Sequence, residues 1–126
     1  MYDYSEEVKL LKALTHPARL AILEILRGGE ECVCHLEAAL GYRQAYISQQ
    51  LMVLRDADLL QDRREGWNVY YRVTRPEIYS VLDAVRKITG MPEAKLMLTP
   101  IACACPNCKQ GTTHRMSIPV ELQSVR

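Results

Sequence analysis

Five cysteines stand in two knots, Cys32-x-Cys34 and Cys103-x-Cys105-x-x-Cys108. Their number is odd and their spacing short, which suits a site for a thiophilic metal or metalloid ion better than a disulfide framework. The thiolate is the binding form, and soft sulfur selects zinc, cadmium, lead or trivalent arsenic over magnesium or calcium. Zinc and cadmium want about four ligands, and arsenic(III) is content with three thiolates, so Cys32 and Cys34 alone are too few. Cys103, Cys105 and Cys108 can supply the missing sulfurs, from the same chain or from a partner subunit. The Pro106-Asn107 turn brings Cys105 and Cys108 together. Two other arrangements stay open. The tail can close on itself as a zinc knuckle of Cys103, Cys105, Cys108 and His114, or the thiols can form a reversible disulfide that serves as a redox switch. His35, beside the first knot, is a further candidate ligand.

The first knot opens a short helix, about Val33 to Leu40, which Gly41 stops. After the link Gly41-Tyr42-Arg43 a longer helix runs from about Gln44 to Ala57, with Ile47, Leu51 and Leu54 at helical spacing. Two helices joined by a short glycine-containing turn make a helix-turn-helix candidate. Residues two apart on a regular helix point to nearly opposite sides. One ion therefore holds both sulfurs only if Cys32 lies outside the first turn or if binding distorts it. A distortion there would reach the second helix within a few residues. A coupling of about 1–3 kcal/mol changes affinity roughly 5- to 150-fold.

Around this pair the other elements follow from periodicity and punctuation. Ser5 to Leu14 reads as a first helix with Ser5 as its cap, and Thr15 caps a second that ends at Gly28-Gly29. His16 is expected to help start that second helix. Leu59 to Glu65 and Trp67 to Thr74 read as a hairpin turning at Glu65-Gly66-Trp67-Asn68. Pro76 opens a last helix with the stripe Ile78, Val81, Leu82, Val85 and Ile88, ended by Gly90. Residues 91–126 carry four prolines and little periodicity and read as a tail behind a domain of residues 1–90. Helix-turn-helix followed directly by a hairpin is the winged-helix order, mainly α with a β-hairpin wing.

Bulk properties fit this class. The chain of 126 residues is 48% hydrophobic and 25% charged, an ordinary globular composition. It has no run of about 18 uncharged apolar residues, so no membrane span is expected, and its acidic start lacks the order of a secretory signal. Cytoplasm is the expected location. The net charge of +1 decides nothing, but residues 43–75 hold six arginines against four acids, a local surface suited to phosphates. No Gly-rich phosphate loop, nucleophile elbow or paired-histidine motif argues for an enzyme.

Four segments resemble the arsenic-repressor (ArsR/SmtB) family of metal-sensing winged-helix repressors. They are Leu14 to Leu23 (LTHPARLAIL), Glu31 to Leu36 (ECVCHL), Ile47 to Leu60 (ISQQLMVLRDADLL) and Arg63 to Arg72 (RREGWNVYYR), and the likeness spans about residues 5–90. The resemblance implies a homodimer built on the first and last helices, operator binding without inducer, and release when an ion binds. The last helix departs from the zinc-responsive members, since it holds Asp83 and no histidine. On such a fold the second helix of the motif enters the major groove of double-stranded operator DNA. Gln44, Ala45, Ser48 and Gln49 are then the candidate readers, because Ile47 and Leu51 must face the core. Arg43 suits a phosphate, and Arg63 and Arg64 on the wing suit phosphates or a flanking minor groove. Gln50 could instead bond the neighbouring backbone.

Overall fold

The computed structural model describes residues 2–90 and two short strands, 98–100 and 114–116. The main unit runs α1 (Ser5–Leu14), α2 (Pro17–Leu26), β1 (Glu31–Cys32), α3 (Val33–Leu40), α4 (Gln44–Asp56), β2 (Leu60–Glu65), β3 (Asn68–Val73) and α5 (Ile78–Thr89). Beyond it, β4 (Leu98–Pro100) pairs antiparallel with β5 (His114–Met116). The tail cysteines Cys103, Cys105 and Cys108 fall outside the described residues.

The core forms where the helical stripes meet. Ile22 and Leu23 of α2, Leu36 and Leu40 of α3, and Ile47, Leu51 and Leu54 of α4 are all buried together. Their spacing on α4 sets the phase of that helix and leaves its other side in solvent. Gly41 ends α3 in the left-handed conformation, φ 72°, where a side chain is strained, and so sets the turn between α3 and α4.

Two helix starts differ from the sequence reading. Tyr4, not Ser5, occupies the cap of α1, and the Asp3 carboxylate accepts from the Ser5 amide at 3.0 Å. Thr15 donates back to the Lys12 carbonyl and closes α1, so the cap of α2 falls to His16, whose Nδ1 accepts from the Ala18 amide at 3.0 Å. α5 begins at Ile78, after a turn through Pro76.

The wing is three-stranded rather than a bare hairpin. Its order is β1-β3-β2, antiparallel throughout, with Glu31 opposite Tyr71 and Cys32 opposite Tyr70. Side chains alternate across a sheet. Leu60, Tyr71 and Val73 therefore join the main core, while Tyr70 and Cys32 form a second small cluster with Cys34 on the opposite face. α5 is held to α2 by Arg27 with Asp83 (2.8 Å), by Arg86 with Glu24, and by the Tyr79 hydroxyl, which donates to the Leu23 carbonyl at 2.6 Å.

Candidate thiol switch and nucleic-acid interface

Cys32 is the N-cap of α3, with extended backbone (φ −79°, ψ 158°), and its sulfur accepts from the His35 amide at 3.2 Å. Cys34 lies inside the first turn. Because Cys32 is outside the helix, the opposite-sides constraint of a regular helix does not apply, and the two sulfurs meet. They are joined as a disulfide, with the Cα atoms 5.3 Å apart. Cys32 is buried and Cys34 half-buried.

Glu31 and His35 flank this pair. Glu31 Oε2 lies 3.5 Å from His35 Nδ1 but makes no hydrogen bond among the described residues. Burial, with repulsion from Glu30 added, pushes the Glu31 carboxyl up to about 7. Burial also pushes the His35 imidazole down. Both shifts favour the neutral forms of the two groups. Among the described residues no group of three or more Cys, His, Asp and Glu side chains is placed to hold a metal ion. Asp83, the acid of the last helix, is engaged by Arg27 and Arg86.

The thiol pair also touches the wing. Tyr70 packs against Cys32, and the Arg63 guanidinium lies 4.6 Å over the Tyr70 ring. Arg63 in turn donates to Glu30 (2.6 Å) and Glu65 (2.9 Å). The chain of contacts Cys32, Tyr70, Arg63, Glu30 thus closes a loop around the base of the wing. Sequence reasoning missed it; the only hint was an acidic pair before the cysteines and a basic pair on the hairpin.

The candidate readers lie on the exposed side of the helix-turn-helix. Arg43, Gln44, Ala45, Ser48 and Gln49 are all exposed at the start of α4. Gln50 is buried and accepts from Arg19 at 2.8 Å. Arg63 and Arg64 part company: Arg63 is held on the thiol face, whereas Arg64 shares the face of Asp62, which meets Arg55 of α4 at 3.7 Å.

A model of the bacterial regulatory proteins of the arsR family matches residues 16–62. The chain is 41% identical over 92 residues to the biofilm growth-associated repressor of Agrobacterium fabrum, covering 73% of this chain and 79% of that protein. The chain belongs to the ArsR family. It is a DNA-binding transcriptional regulator and not an enzyme. It is also 49% identical over 70 residues to the arsenic resistance transcriptional regulator ArsR1 of Pseudomonas putida, spanning 56% of this chain and about half (53%) of that protein. Among solved structures it is similar to the repressor BigR from Xylella fastidiosa (TM-score 0.61, 37% identity, 68% of this chain and 88% of that one). Reduced HlyU from Vibrio cholerae matches with TM-score 0.60 and 31% identity over 67% of this chain and 88% of that one. The homodimeric winged helix-turn-helix domain of Mb0332 from Mycobacterium bovis matches with TM-score 0.63 and 27% identity over 71% of this chain and 88% of that one. The family and the winged helix-turn-helix fold agree with the sequence reading. No helix among the described residues is long and apolar enough to cross a membrane.

Proposed function

We propose that the protein is a homodimeric operator-binding repressor whose grip on DNA is set by reversible oxidation of Cys32 and Cys34. The observation that carries this reading is the extended N-cap position of Cys32, which turns its sulfur onto that of Cys34 without unwinding α3. Hydrogen peroxide is a sufficient oxidant. Two thiols give up two protons and two electrons, one S–S bond forms, the O–O bond breaks, and two waters leave; a dithiol reductant reverses the step by exchange. Similarity to HlyU, solved in a reduced form, supports this reading.

The operator is read by Gln44, Ala45, Ser48 and Gln49 at the start of α4, with Arg43 and Arg64 on phosphates. Arg63 can join them only when Glu30 lets it go. Because Cys32 is opposite Tyr70 in the sheet, a change at the sulfurs bears directly on the wing. This route is shorter than the one through α3 and α4. Dimerisation uses α1 and α5, where Val8, Leu11, Val81, Val85 and Ile88 stay exposed as apolar side chains on the isolated chain. The homodimeric Mb0332 domain supports a homodimer here too.

A second reading has a specific observation behind it, the likeness to ArsR1 of Pseudomonas putida. In the reduced state both sulfurs can face one arsenic(III), cadmium, lead or zinc ion. The described residues supply only those two thiolates, so Cys103, Cys105 or Cys108 would complete the set, in the same subunit or across the dimer. The alternative tail knuckle with His114 would leave Cys32 and Cys34 to redox chemistry alone. Operator binding followed by fluorescence anisotropy separates the readings. Hydrogen peroxide is expected to release the wild type in the presence of a strong chelator, with dithiothreitol restoring binding and Cys34→Ser abolishing the response. Release by arsenite or cadmium under reducing conditions, with no effect of peroxide under chelation, overturns the redox reading in favour of the ion.

A further inference from the structure

Trp67 is the sole tryptophan of the chain and stands fully exposed (102%) at the tip of the wing. Among the described residues nothing packs on the indole. Glu65 pairs with Asn68, so Gly66 and Trp67 form a two-residue hairpin loop. Gly66 takes the positive φ of 60° that the tight turn needs. The second loop position then needs only a small or polar residue. An exposed indole leaves a large apolar surface in water, and that cost is recovered where the surface is covered by a ligand.

The position points to the occupant. The wing follows α4 directly, and its base is tied to α4 by Arg55 and Asp62. When α4 lies in a major groove, the tip of the hairpin projects over the neighbouring backbone toward the flanking minor groove. Arg64 is exposed nearby on the α4 side, a cation placed for the phosphates that border that groove. The other wing arginine, Arg63, is withdrawn onto Glu30 and Glu65 and is not presented at the tip. Among the described residues the wing therefore ends in an apolar group with Arg64 exposed beside it, the composition of a wedge rather than of a phosphate clamp. Apolar side chains act on the minor groove by entering between base steps or lying against the sugars.

We propose that Trp67 is a DNA-contacting residue that inserts into the minor groove flanking the α4 site, and that it contributes affinity independent of salt. The inference rests on the operator-binding reading. It adds a recognition element that would favour easily unstacked steps, such as TA or CA, beneath the wing.

Because Trp67 is the only indole, its emission reports this contact alone. The experiment uses the full-length reduced protein and a duplex selected by it from random sequence. On titration with that duplex the emission is expected to shift and become shielded from acrylamide. Trp67→Ala is expected to weaken binding about 5- to 100-fold, with Trp67→Phe in between. The salt slope of Trp67→Ala should match the wild type, whereas Arg64→Ala should lower it by about one. The proposal is overturned if emission stays that of an exposed indole at saturating duplex, or if Trp67→Ala binds within twofold of the wild type. It is equally overturned if the shift follows protein concentration without DNA, which would make the tip a contact between copies. Gln44→Ala and Ser48→Ala serve as the control. If they lose binding while Trp67→Ala does not, α4 reading stands and the wedge falls; if the wild type selects no duplex, both fall.

Discussion

Arg63 and Glu30 are joined at the base of the wing, Nη2 to Oε1 at 2.6 Å, with Arg63 stacked over Tyr70 and Tyr70 packed on Cys32. Arg63 thus links the thiol pair, through Tyr70, to Glu30 on one face of the wing. The pair is solvent-exposed, so it acts as a positional latch rather than as a large source of stability.

Removing the latch should liberate a cation for DNA. Glu30→Gln is expected to tighten operator binding a few-fold and to make the salt slope steeper by up to one phosphate contact. It should also shrink the difference between peroxide-treated and reduced protein, since Arg63 then keeps only Glu65 as an ionic partner in either state. Anisotropy titrations at several salt concentrations give both quantities. An unchanged redox difference in Glu30→Gln would show that the latch does not carry the coupling.

Glu31 offers a test by pH. Its carboxyl is raised from 4.5 to about 7 in the folded chain by burial and by Glu30. A carboxyl raised on folding binds its proton more tightly in the native state. The associated stability is fully present below pH 4.5 and is lost as pH rises through about 7. Glu31→Gln keeps the shape, removes the titration, and should be more stable than wild type at pH 8 by roughly 1–3 kcal/mol, with little difference at pH 5. Urea melts at the two pH values decide it, and a difference independent of pH would place the effect elsewhere than in Glu31 ionisation.

The site was partly legible before the structure, and the parts divide by physical cause. Ile47, Leu51 and Leu54 lock the phase of α4, so the exposure of Gln44, Ala45, Ser48 and Gln49 follows from spacing alone. The same holds for α5, where Ile78 and Leu82 turn inward. β1 was invisible because two residues carry no period, and its partner β3 lies far along the chain. Strand alternation says that Arg63 and Arg64 face opposite ways, but only the register with β1 decides which one meets Glu30. The cap of α2 was assigned to Thr15 because hydroxyls lead the capping preferences, yet Pro17 at the start of the helix fixed His16 as the residue before it.

That histidine yields a second pH test of opposite sign. His16 Nδ1 accepts from the Ala18 amide, so its proton sits on Nε2, which donates to the Tyr46 hydroxyl at 3.2 Å and ties the start of α2 to α4. Burial, and then the charge of Arg19, lower its pKa below 6.5. A base lowered on folding gives stability that is present above pH 6.5 and lost as pH falls through the folded value. His16→Ala should cost about 1 kcal/mol at pH 7.5, and His16→Asn, which keeps an acceptor, should recover most of it. As the pH falls through the folded value the wild type and His16→Ala should converge; a constant gap at every pH would remove the cap from the account.

The exposed apolar residues of α1 and α5 set the last expectation. Val81, Val85 and Ile88 are 39%, 48% and 84% exposed on a helix whose Ile78 and Leu82 are buried. Among the described residues nothing covers this second apolar side of α5, which suits it to a partner subunit. Val85→Glu with Ile88→Glu places two charges in that surface while leaving Ile78, Leu82 and the Arg27–Asp83 pair intact. The variant should sediment as a folded monomer with an unchanged circular dichroism spectrum. Its operator affinity should fall on the order of a hundredfold, because two tethered half-site contacts become one. Wild-type protein that sediments as a monomer at micromolar concentration, or a variant that remains dimeric, would place the dimer contact away from α5.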